Sequence, residues 1–151
     1  NDISKEKLPL IKENIDRLGL ESIELTNFDA SVFKKEYENT FDYVLVDAPC
    51  SGLGVMGRKP EIRYNRSMED IKALAKFQRD ILNQALKYLK KDGILVYSTC
   101  TVGNIENKDN FSYLSAMDDL NVIPIDGKDY IEYVNYIDKT DGFFISKFKK
   151  I

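Results

Sequence analysis

Two cysteines are the only thiols in this chain, and each follows an apolar run directly. Tyr43-Val-Leu-Val46 leads into Asp47-Ala-Pro-Cys-Ser-Gly52, and Gly93-Ile-Leu-Val-Tyr97 leads into Ser98-Thr-Cys-Thr101. An apolar run that stops at polar residues and a glycine predicts a buried parallel strand delivering side chains to the rim of a sheet. In open α/β sheets the ligand crevice lies outside the carboxyl ends of the strands. Asp47, Cys50 and Cys100 therefore fall where chemistry is usually done. A free cysteine is most often a small buried hydrophobe. Both of these, however, come after the apolar run, beside Ser51, Thr99 and Thr101. A nucleophilic thiol needs a lowered pKa, which a helix N-terminus or a nearby cation supplies. A helix starting near Asn104 and the basic stretch Arg58–Arg66 could serve in these roles. Asp47 reads either as a turn residue or as a hydrogen-bond partner for a substrate.

Composition narrows the chemistry. The chain has no histidine, which excludes His-based triads, His–carboxylate metal sites and imidazole acid–base catalysis. Two cysteines alone make a poor zinc site, so no metal is expected. They are fifty residues apart without a Cys-x-x-Cys spacing, which speaks against a thiol–disulfide pair. The net charge of −3 is not that of a self-sufficient nucleic-acid binder. Locally, Arg58, Lys59, Arg63 and Arg66 face one acid, Glu61, as either a solvated loop or a phosphate contact. No apolar run approaches the ~18 residues of a membrane span, and no signal pattern is present, so the expected location is cytoplasmic with no membrane partner. The 151 residues fit one domain, 1–151.

The elements that must position these residues are legible from periodicity. Leu8, Ile11, Ile15 and Leu18 predict a first helix, capped by Asp2 or Ser4 and closed by Gly19. Ser22–Leu25 reads as a short strand and Ser31–Tyr37 as a short helix. The strand Asp42–Val46 follows, then a loop from Ala48 to Asn65. Ser67 and Asp70 form a capping box for the longest helix. Its apolar face runs through Ile71, Leu74, Ala75, Ile81, Leu82, Ala85, Leu86 and Leu89, with Lys90 and Lys91 at its C-terminal end and Gly93 as its stop. Strand Ile94–Ser98, a helix over Asn104–Asp119 and a strand over Asn121–Ile125 come next. Tyr130–Ile137 is β-prone, and Phe143–Phe148 is a last strand. The order implies an α/β, doubly wound sheet, mostly parallel with an antiparallel C-terminal strand.

Asp47-Ala-Pro-Cys-Ser-Gly52, followed by Ser98-Thr-Cys-Thr101, resembles the RNA cytosine-C5 methyltransferases, within them the bacterial 16S ribosomal RNA methyltransferase B (Sun/Fmu) group. Supporting matches run along the chain: Asp2-Ile-Ser4 with Leu8, Asn14-Ile-Asp-Arg-Leu-Gly19, Phe28-Asp29-Ala30, Gly54-Val-Met-Gly-Arg-Lys-Pro60, Glu106-Asn107 and Asp141-Gly-Phe-Phe144.

The resemblance implies a Rossmann-like methyltransferase sheet and transfer of a methyl group from S-adenosylmethionine to cytosine C5 in RNA, with small-subunit ribosomal RNA as partner. It implies that Cys100 adds to C6 of the base, that Asp47 hydrogen-bonds the base, and that Cys50 assists loss of the C5 proton and release. It places Asp2 on the cofactor ribose, Asp29 on adenine and Asp47 at the same site. Pro49, Arg58, Lys59 and Arg63 would meet the RNA. The family's first strand and glycine-rich loop have no counterpart here, so the chain is expected to be a C-terminal part of the catalytic domain and by itself inactive. An open sheet edge would then invite self-association, which light scattering showing a clean monomer would count against. Two rivals are a methyltransferase for another RNA, for DNA cytosine or for a small molecule, and a catalytically silent RNA-binding module. In the DNA cytosine pattern Cys50 is the nucleophile.

Overall fold

The computed structural model describes residues 1–151 as α1 (Leu8–Leu18), β1 (Phe41–Asp47), α2 (Met68–Tyr88), β2 (Leu89–Thr99), α3 (Lys108–Ser115), β3 (Leu120–Val122), β4 (Tyr130–Tyr133), α4 (Asn135–Asp138) and β5 (Phe143–Lys150). β1 and β2 pair in parallel, with Val46 opposite Tyr97 and Asp47 opposite Ser98. β5 runs antiparallel to β2, with Thr99 opposite Phe144. β3 and β4 share the far side of β5, both antiparallel to it. Four strands thus point one way and β5 alone runs against them. The last strand is inserted inside the sheet, not added at its margin. This is the mixed α/β sheet that the order of elements implied, and the Rossmann-like sheet that the resemblance implied.

Alternation decides which face is core. Leu95 and Tyr97 of β2, Phe144 and Phe148 of β5, and Val46 of β1 pack with Ile81, Leu82, Ala85 and Leu86 of α2 and Leu114 of α3. Leu82, Leu95, Phe144 and Phe148 are fully buried, each stabilising by about 1.5–3 kcal/mol. On the opposite face Tyr43 is 78% and Leu45 66% exposed, and β1 has a neighbour on one side only. The capping box forms as expected: Asp70 N–H donates to Ser67 Oγ at 3.1 Å, and Ser67 N–H donates to Asp70 Oδ2 at 2.8 Å. Gly19, in the left-handed region at φ 65°, closes α1.

Several expectations are corrected. Ser22–Leu25 forms no strand, because no ladder partner lies beside it; only Asp2 N–H reaches Thr26 O, at 3.2 Å. Neither Asp2 nor Ser4 caps α1; Lys7 occupies that position without a side-chain bond, and Asp2 instead accepts the Ser4 N–H. Ser31–Tyr37 contributes only a 3-10 turn at Lys35–Tyr37. α2 ends at Tyr88, and Lys90, Lys91 and Gly93 belong to β2. Asp92 there takes φ 65°, and the β1–β2 register jumps between Phe41 and Tyr43, so the lysines ride an irregularity of the strand instead of a helix end. The helix over Asn104–Asp119 shrinks to α3, since Asn104–Asn107 form turns, from which the Glu106 and Asn107 side chains bond to the cysteine loops. Ile125 makes only a bridge to Lys128, and Tyr130–Ile137 divides into β4 and α4.

Candidate active site

The parallel register that sets Asp47 opposite Ser98 also sets the two cysteine loops side by side. Cys50 Sγ lies 3.2 Å from Cys100 Sγ. Sequence separation and the lack of a Cys-x-x-Cys spacing hid this proximity, which two adjacent parallel strands ending together create. Ser98 Oγ donates to Asp47 Oδ1 at 2.9 Å, which fixes the carboxylate and leaves Oδ2 without a protein partner. Asp47 and Pro49 are exposed at the rim, and both cysteines are half-buried.

Burial, and secondarily the Cys100 sulfur, pushes the Cys50 thiol up to about 12. Cys50 therefore stays neutral at ordinary pH, and either thiol can donate across the 3.2 Å contact. Backbone N–H groups at Gly52 and Cys100 pull it the other way, and no cation does. The expected cationic help from Arg58–Arg66 is not found at this thiol: Arg58 pairs with Asp141, and Arg66 Nε donates to Ser51 O at 3.3 Å. The helix expected near Asn104 begins at Lys108 instead.

The loop beyond Cys50 is pinned to its neighbours. Gly54 N–H donates to Cys100 O at 3.2 Å, and Gly54 O accepts from Gly142 N–H at 2.8 Å and Asn135 Nδ2 at 3.0 Å. Arg58, Lys59 and Arg63 are exposed on this loop.

Beneath the cysteines lies a buried polar network that periodicity alone does not reveal. Glu106 accepts from Ser51 N–H and Gln78 Nε2, each at 2.9 Å, and from Ser51 Oγ. Gln78 Nε2 also donates to Pro49 O at 2.9 Å. Asn110 Nδ2 reaches Gln78 Oε1 at 2.8 Å, and Tyr97 OH donates to Glu106 O at 2.6 Å. Burial pushes the Tyr97 hydroxyl upward, so it remains a donor. Thr99 Oγ1 donates to Asn107 Oδ1 at 2.6 Å, and Asn107 Nδ2 to Thr101 O at 3.1 Å. A glutamine amid the apolar positions of α2, and polar residues at 106, 107 and 110, were the available signals.

An open cavity of about 960 Å³ lies beside Asp47 and Pro49, within the range of small-molecule sites. Asp2, Asp29, Asp47 and Pro49 all line it, with Ile3, Phe28, Ala30 and Phe77 as apolar walls. Asp2 Oδ1 accepts the Ser4 N–H at 2.8 Å, a bond that lowers its pKa. Asp29 Oδ1 accepts the Ser31 hydroxyl at 2.7 Å and the Ser31 N–H at 2.9 Å, which lower its pKa in that order. Carboxylates suit hydroxyl and amine donors, although Asp2 Oδ2 also lies 3.4 Å from Lys7 Nζ, and apolar walls suit a purine. The donor set fits a cationic nucleoside such as S-adenosylmethionine. No group of three or more acidic or cysteine side chains is arranged to hold a metal, and no helix is long and apolar enough to cross a membrane.

A family model for 16S rRNA methyltransferase RsmB/F matches residues 1–149. The chain is 37% identical to the probable ribosomal RNA small subunit methyltransferase B of Bacillus subtilis (strain 168), over 99% of this chain and 36% of that protein. It is 34% identical to ribosomal RNA small subunit methyltransferase F of Psychromonas ingrahamii, over 99% of this chain and 34% of that one. It thus spans about a third of the length of these relatives. Among solved structures, NSun6 from Pyrococcus horikoshii with SFG superposes at a TM-score of 0.80, with 30% identity over 98% of this chain and 40% of that one. A methyltransferase homolog from the same organism superposes at 0.84, with 28% identity, over 99% and 52% of the two chains.

Proposed function

The chain belongs to the 16S rRNA methyltransferase RsmB/F family, and from that premise we propose that the full-length protein methylates C5 of a cytosine in small-subunit ribosomal RNA, through a covalent bond between Cys100 and C6 of the base. The observation that carries this reading is the 3.2 Å approach of the Cys50 and Cys100 sulfurs beside Asp47. One thiol alone would suffice for a simple nucleophile. Two at the rim, with unlike environments, suit a reaction that must both make and break a carbon–sulfur bond.

Cytosine C5 is a poor nucleophile until a thiolate adds to C6. The family resemblance assigns the attack to Cys100, and the Cys50 thiol 3.2 Å away can donate a hydrogen bond to its sulfur. Asp47 Oδ2 then accepts a hydrogen bond from the base, with Ser98 holding the carboxylate in place as charge develops. With Cys100 bound to C6, Cys50 beside it is assigned to help remove the C5 proton, after which elimination regenerates the Cys100 thiolate. S-adenosylmethionine, when bound, supplies an electrophilic methyl group. Asp2, Asp29 and Asp47 are the residues that would hold it, with Pro49 between the cavity and the cysteines. The relative crystallised with SFG, an S-adenosylmethionine analogue, supports that choice of donor. Arg58, Lys59 and Arg63, exposed on the loop after Cys50, are assigned to RNA phosphates, with the target base unstacked to enter the rim.

The test uses the full-length protein, S-adenosylmethionine and RNA carrying 5-fluorocytidine, whose C5 fluorine blocks the release step. A covalent protein–RNA adduct is expected in the wild type and in Cys50→Ala, and none in Cys100→Ala. The reverse pattern would make Cys50 the nucleophile, as on DNA cytosine. No adduct in any form would leave a binding module.

A further inference from the structure

We propose that Glu106 is a positioning residue that holds Cys50 against Cys100, by clamping the peptide on both sides of Cys50. The inference rests on the reading of Cys50 as the release residue. Pro49, just before Cys50, has its carbonyl held by Gln78 Nε2. Ser51, just after it, has its N–H and its hydroxyl held by the Glu106 carboxylate. The same Gln78 nitrogen donates to Glu106, so one connected pair grips both flanks.

Glu106 also sets the direction of a hydroxyl chain joining the two cysteine loops. Ser51 Oγ and Thr101 Oγ1 are 2.7 Å apart, and either could donate. Because the Ser51 proton goes to Glu106, the Thr101 hydroxyl must donate to Ser51, and its own oxygen then accepts the Leu53 N–H at 3.3 Å. Ser51 follows Cys50 and Thr101 follows Cys100, so the carboxylate fixes the spacing between the loops. A glutamine here would keep one acceptor oxygen but present an NH2 group to donors.

Glu106 is 2% exposed and takes part in no salt bridge. A buried carboxylate without a cation is costly unless hydrogen bonds satisfy it. A site needing only bulk would hold a neutral side chain more cheaply. Cys100, by contrast, ends a strand paired on both sides and keeps its own bond from Gly54 N–H. Loss of Glu106 should therefore displace Cys50 more than Cys100.

The test compares wild type, Cys50→Ala, Glu106→Gln and Ser51→Ala in the full-length protein, with two readouts. The first is the rate of Cys50–Cys100 disulfide formation under a fixed excess of hydrogen peroxide. Each thiol loses one proton and one electron to the peroxide, which is reduced to two waters as the sulfur–sulfur bond forms. Glu106→Gln should slow this by roughly 10- to 100-fold, the penalty of an approximately 1 Å misplacement, with the free-thiol titre unchanged before oxidation. Ser51→Ala should slow it less. The second readout is adduct on ordinary cytosine RNA. Glu106→Gln should form adduct at near the wild-type rate and resolve it slowly, as Cys50→Ala does. Disulfide formation at the wild-type rate in Glu106→Gln would overturn the proposal whatever the activity. Adduct formation and resolution falling together would also overturn it, reducing Glu106 to a structural group. If Cys50→Ala itself resolves adduct normally, the release role of Cys50 fails, while the peroxide readout still decides whether Glu106 holds the pair.

Discussion

Cys50 and Cys100 sit at the ends of neighbouring parallel strands with their sulfurs 3.2 Å apart. A disulfide requires the sulfurs to close to about 2.05 Å, a movement of roughly 1 Å that a loop residue such as Cys50 can make while Cys100, just past the end of β2, stays in place. Mild peroxide should therefore convert the pair to a disulfide, lowering the mass by about 2 Da and blocking both thiols. Mass spectrometry of a digest checks this, with a cross-linked peptide pair expected, and reduction should restore adduct formation. Separate sulfinic acids at the two positions, without a cross-link, would show that the pair does not close.

The raised thiol of Cys50 gives a pH signature with a defined sign. Its folded value of about 12 lies above an ordinary 9.0. Between those values the unfolded chain has lost the Cys50 proton and the folded chain keeps it. The unfolded state then binds fewer protons, so stability falls as pH rises. The contribution is whole below the ordinary value and disappears as pH climbs through the folded one. Thermal melts from about pH 8 to about pH 11 should show the wild type losing more stability than Cys50→Ala. Tyr97 is pushed upward mainly by burial, which is common to both proteins, and the smaller contribution that Cys50 makes to it acts in the same direction as the Cys50 effect. Parallel pH curves for the two proteins would contradict a buried neutral thiol at position 50.

What was legible in the sequence was what local chemistry specifies. The Ser67–Asp70 box and Gly19 each act within one helical turn, and both appear as read. Asp47, Cys50 and Cys100 were legible because an apolar run ending in polar residues marks a strand end. That Asp2, Asp29 and Asp47 share one cavity followed from the family pattern, not from spacing, whereas Pro49, assigned to the RNA, lines the same cavity. The clamp was not legible, because Glu106 bonds to residues 55 and 28 positions away and only the folded sheet brings them together. Ser22–Leu25 misled for the converse reason. Its β-prone side chains describe a willingness to pair, and a strand exists only where a partner is present.

The tightest backbone approach in the site predicts the largest effect of a small change. A methyl group added at Gly54 would lie 2.3 Å from Gly142 O and 2.8 Å from Cys100 O. Both obstacles are main chain, so no side-chain rotation relieves the overlap. The loop after Cys50 would have to lift away from Cys100, weakening the bond from Gly54 N–H to Cys100 O and the bonds that Gly54 O receives from Gly142 and Asn135. Gly54→Ala should cost about 1–3 kcal/mol of stability, as overpacking does, and should slow adduct formation at Cys100 beyond what the unfolded fraction explains. Gly57, three residues on, has nothing within 4 Å of an added methyl. Gly57→Ala should stay within about 0.5 kcal/mol of wild type, because the same chemical change there meets open space. Urea melts of the two variants, with 5-fluorocytidine trapping at matched folded concentrations, separate the outcomes. Equal effects at the two glycines would mean that contact between the Gly54 and Gly142 main chains does not hold the Cys100 loop in place.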